Sequence, residues 1–511
     1  MPESGTLPAT KRRIFWIPLL AIVLTWTVLY LPHLRTSPRW YGDETLTLMI
    51  GKSLFAGAPA DRSLKISFWH PSYTYQPGYA WVAGMMAAIT GGDILGARFL
   101  NVSLALTIAL VLFIFGRKHL GYWPALFAAL LFLTYDQTVI HFRWIYPHNA
   151  VALGFLISVL ALMRASSPRA DWTTGAGLGL AAFCHPLFAH GAIAAWLCRL
   201  KRPRAWIRMA ILPGLVLAAS FLSAIWRYQE SWLWGDLSEL LAFYRVSSSE
   251  AGTGAQPFLN FYYFFRQDFF HIGVLLGGLL CLTRRRLYPI GLFLLVVSAL
   301  LLQNRRNIPL FYYQAVTLLP IMALAWAGGL RVVLMWIWKV SGRSRLARLL
   351  AILVLILPAI YFLKILPAAV SGKLVSRNDI WVTQNTDEVT QAADWLKARL
   401  HPDDLVICGT NIGWMLPCRQ ADLIQATTWA GHKSFTFETP IAHKKFLHPA
   451  DLSQARYVII SDLDQRWTFG QTNVSLIANL LEKEKWQIVW QGPFYIIVEN
   501  PRLTPSPTPS R

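Results

Sequence analysis

Lys11-Arg12-Arg13 leads into an apolar run from Ile14 to Pro32, and Arg39-Trp40-Tyr41-Gly42-Asp43-Glu44 follows closely. The reading of the whole chain turns on this junction. The run is ~19 residues long, enough to cross the hydrocarbon core of a bilayer. No clear small-x-small cleavage site follows it, so it reads as a retained anchor rather than a cleaved leader. The basic residues before the run put the N-terminus in the cytoplasm and Asp43-Glu44 outside. From Asp43 the apolar positions Leu46, Met49, Ile50 and Leu54 recur at helical spacing, and Gly57 with Pro59 stops the pattern. The expectation is a short amphipathic helix on the membrane surface with two adjacent carboxylates in its first turn. Helix neighbours point about 100° apart, so one carboxylate can face a reaction while the other braces it. The alternative is an N-cap at Asp43 and a first-turn charge at Glu44 that suits the helix dipole.

Composition extends the membrane reading to most of the chain. Hydrophobic residues are 55% of 511, charged residues only 14%, and the mean hydropathy is +0.41. A soluble chain carries nearer a quarter charged residues. The net charge of +21 is not gathered in one patch but recurs in short clusters between apolar stretches, which sets nucleic-acid binding aside. The fold class expected is a polytopic α-helical membrane protein of about eleven spans with a C-terminal soluble α/β domain.

Beyond the first span, apolar runs lie near 94–115, 121–137, 147–163, 173–184, 187–198, 207–226, 269–283, 288–303, 309–330 and 348–367. Two of them, 173–184 and 187–198, are short and read as a broken pair around Cys184-His185-Pro186. The stretch Pro77–Ala88 reads as a second surface helix, and 231–245 as an interfacial one. With this count every dense basic cluster falls on one side: Arg117-Lys118, Arg164 and Arg169, Arg199 to Arg208, Arg284-Arg285-Arg286, and Lys339 to Arg348.

The odd number of spans puts the C-terminal region outside. Residues 1–370 are thus expected as the membrane domain with its outer loops, 371–500 as an outer α/β domain, and 501–511 as a disordered tail. Within the outer domain Thr386 is expected to cap a helix running to Leu400. Strands are expected at Leu405–Cys408, Tyr457–Ser461, Gln487–Trp490 and Tyr495–Glu499, with a helix over Asn473–Lys485. Cys408 and Cys418 lie in this domain with nine residues between them and are a candidate disulfide. Cys and His at metal-ligand spacing are not found, so no metal and no cofactor is expected.

Ionisable groups gather at the outer edge. Lys52, Lys65, His70 and Tyr75 lie near the acidic pair, in or after its helix, with headgroup anchoring as the alternative for the lysines. Asp136, His141, Arg143, Tyr146 and His148 crowd the outer turn between the third and fourth spans, and His185 and His190 sit at the break of the short pair. Arg305-Arg306, between the ninth and tenth spans, run against the positive-inside bias and so call for an anionic partner.

The order of these motifs resembles the GT-C membrane glycosyltransferases. Asp43-Glu44 opens a surface helix after the first span, and His70-Pro71 leads through Gln76-Pro77 to a second. Ala97-Arg98-Phe-Leu-Asn101 opens the next span and Gly116-Arg117 closes it. Arg305-Arg306 precede an aromatic-rich entry to a span containing Pro320. The chain looks closest to the protein mannosyltransferase-like and aminoarabinose transferase-like bacterial enzymes, which use a polyprenyl-phosphate sugar donor. Its His70-Pro71 segment departs from the commoner His-Pro-Pro form. No Trp-Asp acceptor motif of the oligosaccharyltransferase kind is found, and the likeness is not extended there.

The resemblance implies Asp43 as the base and Glu44 as its orienting neighbour. Arg305 and Arg306, with Lys65 or Arg143, would hold the donor phosphate, and His70, Tyr75, Asp136, His148, His185 and His190 would contact substrate. It also implies a glycan, lipid or protein acceptor, a bacterial plasma membrane with its lipids as surroundings, and single-displacement, inverting chemistry. The rival expectation is a transporter or flippase for a lipid-linked or anionic substrate. That class places its ionisable groups nearer the bilayer midplane and often has repeated halves, which are not seen here.

Overall fold

The computed structural model describes residues 9–56, 77–164, 166–228, 256–302, 312–341, 349–350, 352–375, 382–383, 385–432, 442–443, 446, 448–462, 464, 478–479 and 481–503. The chain divides into two compact units. One is drawn from Met1–Leu34, Phe99–Ile225 and Ser231–Leu374, the other from Arg35–Arg98, Trp226–Glu230 and Val375–Arg511.

The first unit is helical. Its elements include Ala9–Tyr30, Tyr122–Thr134, Pro147–Leu162, Pro168–Cys184, Phe188–Cys198, Phe269–Leu282, Tyr288–Leu302, Leu319–Ser341 and Ile356–Val370, with most of Ile94–Leu120 and of Pro203–Tyr228. Local chemistry sets their ends. Proline opens three of them, where its missing N–H leaves no intrahelical bond unmade. Ser167 accepts from the Ala170 amide at 3.2 Å and Asp268 from the His271 amide at 2.9 Å, satisfying first-turn donors. Gly121, at φ 87°, follows Ile94–Leu120 in a conformation that residues with a Cβ rarely adopt. Pro147–Leu162 and Pro168–Cys184 approach through Gly154 and Gly177, where an added Cβ on either residue would meet the other's carbonyl oxygen.

The broken pair is present, interrupted at His185-Pro186-Leu187. A helix not foreseen, Gln256–Arg266, precedes Phe269–Leu282. Among the described residues two helices are long and apolar enough to cross a membrane, Ile94–Leu120 and Val316–Val340. A third arises if Phe258–Arg266 and Phe269–Leu282, bent by 115° at their break, count as one span. The other expected spans include shorter apolar helices, such as the 13-residue Tyr122–Thr134. At 1.5 Å per residue such a helix covers about 20 Å, less than the ~30 Å hydrocarbon core, so helix length does not establish eleven spans. The interfacial helix expected at 231–245 lies outside the described residues.

In the second unit the acidic helix Gly42–Ala56 and its neighbour Pro77–Ile89 stand with the C-terminal sheet. The two helices meet at Gly51 and Gly84, and a Cβ on either would strike the other's backbone. The sheet has five strands: β1 Leu405–Ile407, β2 Arg419–Ala421, β3 Ala455–Ser461, β4 Gln487–Gln491 and β5 Tyr495–Glu499, in the order β2-β1-β3-β5-β4. The β2-β1-β3 half is parallel and the β3-β5-β4 half antiparallel. Ile407, Val458, Ile460 and Val498 build its core with Leu423, Phe446 and Leu481.

Three expectations for this region change. The helix over Thr386–Lys397 is capped by Asn385, whose side chain accepts from the Asp387 and Glu388 amides, so Thr386 lies one residue inside. β2 and the helix Leu423–Trp429 were not foreseen, although Asp422 and Gln425 form a capping box at that helix. Cys408 and Cys418 are both buried and not joined: the Cys408 thiol lies 3.8 Å from Gln420 Oε1 instead. Most of the helix expected at Asn473–Lys485 lies outside the described residues.

Candidate active site

The first turn of the acidic helix separates its two carboxylates. The amides of Glu44 and Thr45 donate to the Tyr41 carbonyl at 3.1 and 3.3 Å. The Glu44 side chain folds inward, where Oε2 accepts from the Tyr41 amide at 3.3 Å. It is gripped in bidentate fashion by Arg98, with Nε 2.7 Å from Oε1 and Nη2 2.8 Å from Oε2. Both side chains are 0% exposed, so the pair is fully desolvated and each charge is held by the other. Asp43, one position earlier, is exposed. The 100° step along the helix thus gives one carboxylate locked in the interior and one directed to solvent. A carboxylate on a backbone fixed from behind in this way is suited to accept a proton from a bound hydroxyl.

The remaining described candidates lie in the helical unit. Asp136 opens the short helix Asp136–His141, with Oδ1 accepting from the Gln137 amide at 2.9 Å and Oδ2 3.3 Å from Lys364 Nζ. Beside it in sequence, the Tyr135 hydroxyl donates to Asp268 at 3.2 Å and its ring stacks on Phe270 at 4.0 Å. His148 is buried, stacked on Tyr146 and tilted against His185, with ring centroids 4.4 Å apart in both cases. His185 Nδ1 accepts from the Leu187 amide at 3.0 Å, an arrangement that leaves Nε2 to carry the proton of the neutral ring. The structure therefore brings His148 and His185 together from two separate turns, and His190 stands in the next helix turn, partly buried.

Arg143 is set against the first helix. Its guanidinium is buried and donates to the carbonyls of Leu29 and Pro32, at the C-terminal end of Ala9–Tyr30. A cation there satisfies carbonyls that have no intrahelical partner and suits the helix dipole. In this position it caps the first helix.

Lys65, His70, Tyr75, Arg305 and Arg306 lie outside the described residues. Among the described residues no group of three His, Cys, Asp or Glu side chains is placed to hold a metal ion. Two residues acquire parts that the sequence reading did not assign. One is Arg98, whose signal was an arginine near the start of a largely apolar helix, where a charge needs a partner. The other is Asn101, whose Oδ1 receives the Asn149 amide group at 2.9 Å while Asn149 also donates to the His141 and Trp144 carbonyls, pinning the turn that carries His148.

No protein-family model matches the sequence, and no curated protein matches it. Solved structures do share its fold. ArnT from Cupriavidus metallidurans, bound to undecaprenyl phosphate, aligns with a TM-score of 0.58 at 14% identity, over 96% of this chain and 98% of that one. The archaeal oligosaccharyltransferase AglB from Archaeoglobus fulgidus, in complex with an inhibitory peptide and a dolichol-phosphate, gives 0.52 at 13%, over 88% and 70%. The arabinofuranosyltransferase AftD from Mycobacteria gives 0.52 at 14%, over 98% of this chain but 40% of its own. All three are GT-C glycosyltransferases, and this chain has their fold.

Proposed function

We propose that the protein is a membrane glycosyltransferase that moves a sugar from a polyprenyl-phosphate donor to an acceptor on the outer face of the membrane. The observation that carries this reading is the exposed Asp43 beside the buried Glu44–Arg98 pair, at the start of a helix in a GT-C fold. In the reaction, an acceptor hydroxyl oxygen attacks the anomeric carbon. The bond from that carbon to the phosphate oxygen breaks, and the polyprenyl phosphate leaves with the electron pair. The hydroxyl proton passes to the Asp43 carboxylate. A single displacement of this kind inverts the anomeric centre.

Glu44 acts through Arg98, holding the turn that presents Asp43. Arg305 and Arg306, with Lys65, neutralise the charge growing on the departing phosphate. His70, Tyr75, Asp136, His148, His185 and His190 contribute to substrate contacts. The bound undecaprenyl phosphate of ArnT and dolichol-phosphate of AglB support a polyprenyl-phosphate donor.

The test is to incubate purified protein in nanodiscs with a panel of undecaprenyl-phosphate-linked hexoses and pentoses and to follow release of undecaprenyl phosphate. Release that depends on Asp43 supports the reading. Donor binding without release, in the presence of a cell-envelope extract as acceptor source, would favour the transporter instead.

A further inference from the structure

We infer that the C-terminal sheet domain is part of the catalytic apparatus, with Thr410 as a positioning residue for Asp43. The inference rests on the proposed role of Asp43 and adds to it the element that holds its backbone. β1 ends at Ile407, and the chain then turns through the one-turn helix Thr410–Gly413. Thr410 Oγ1 donates to the Gly42 carbonyl at 3.2 Å. Thr45 Oγ1 lies 2.8 Å from the same carbonyl and 3.2 Å from Thr410 Oγ1, so two hydroxyls and one carbonyl close a triangle around the peptide that precedes Asp43. Each hydroxyl has one proton to give, and the triangle uses both.

Three further contacts flank this one. The Trp40 and Trp414 rings meet edge to face, with centroids 5.4 Å apart at 77°. The Thr383 amide donates to the Trp40 carbonyl at 2.8 Å, and Tyr41 forms an antiparallel bridge with Val382. The residues on both sides of Asp43 are thus fastened: Gly42 and Tyr41 to the sheet domain, Glu44 to Arg98. Asp43 itself is exposed. A base must sit within hydrogen-bond reach of its proton, and a displacement of about 1 Å costs on the order of a hundredfold in rate. The domain therefore acts on the chemical step.

The experiment compares wild type, Thr410→Val, Thr410→Ser and Asp43→Asn as full-length proteins in nanodiscs. Valine keeps the shape and removes the hydroxyl, whereas serine restores it. Two readouts are taken: amide hydrogen exchange over residues 40–46, and the dependence of undecaprenyl phosphate release on concentration of the panel donor that wild type cleaves fastest. In Thr410→Val, exchange over 40–46 should rise about tenfold while β1 and β3 keep wild-type exchange. Its kcat should fall about ten- to a hundredfold with donor KM unchanged, and Thr410→Ser should recover both.

Wild-type exchange over 40–46 in Thr410→Val overturns the clamp. Wild-type kcat in Thr410→Val, with Asp43→Asn inactive, overturns the positioning role. If Asp43→Asn keeps full turnover, the base assignment has failed instead, and the positioning role falls with it. The exchange result then decides the clamp alone.

Discussion

Replacing Arg98 with methionine leaves the buried Glu44 carboxylate without the guanidinium that grips it. Both partners are 0% exposed, and their two contacts are 2.7 and 2.8 Å long. At an effective dielectric of about 20, unit charges ~4 Å apart attract by about 4 kcal/mol. Removing one member of a buried pair typically costs about 3–5 kcal/mol, because the survivor keeps its desolvation penalty. The two routes agree on about 4 kcal/mol. For a unit of this size each kcal/mol shifts the midpoint by roughly 2–4 °C, so Arg98→Met should melt about 10 °C below wild type. The assay is tryptophan fluorescence during thermal unfolding of the full-length protein in nanodiscs. Exchanging both charges for apolar groups, in Arg98→Met with Glu44→Leu, removes the stranded carboxylate and should recover most of the loss. Turnover should stay low in the double variant, because the turn that presents Asp43 has lost its brace. A single variant melting within about 2 °C of wild type would sink this account of the pair. So would a double variant no more stable than Arg98→Met.

Asp43→Asn should lower turnover by about 10²–10⁴-fold at saturating donor and leave the melting temperature unchanged, since the side chain is exposed; near-normal turnover would remove it as the base. Arg305→Ala and Arg306→Ala should include at least one variant that loses turnover as well as donor affinity, with the lysine variants less affected; donor-concentration curves decide this, and no change in either alanine variant removes that loop from the site. In the sheet domain, burial pushes the Asp464 carboxyl up to about 6, against the hydrogen bonds from Ser461 that favour its ionised form. The folded domain then keeps a proton there that the unfolded chain releases near pH 4. The stabilising contribution is full below pH 4 and is lost as pH rises through about 6, on the order of 3 kcal/mol in all. Melting curves between pH 4 and 7.5 should show this decline in wild type and a flatter profile in Asp464→Asn.

What the sequence determined by itself is what depends on near neighbours along the chain. Helical spacing from Asp43 to Leu54 placed the acidic helix over Gly42–Ala56, and Pro186 marked the break between two short helices. Short runs of β-branched and aromatic residues near the C-terminus located β3, β4 and β5 to within two residues at their ends. The even spacing of 100° per residue also required that Asp43 and Glu44 face different ways, but not which of them faces inward. The three-residue strands β1 and β2 are too short for periodicity to fix their pairing, and β2 was missed.

Tertiary structure decided the partners, because charge pairs and clamps are satisfied in space rather than along the chain. Glu44 is inside because Arg98, 54 residues away, offers a guanidinium where no water reaches. Arg143 lies far along the chain from the first helix, and folding alone sets its guanidinium against the carbonyls of Leu29 and Pro32. Thr410 carries no motif at all. Only folding sets its hydroxyl beside Thr45, 365 positions earlier, and 3.2 Å from the Gly42 carbonyl.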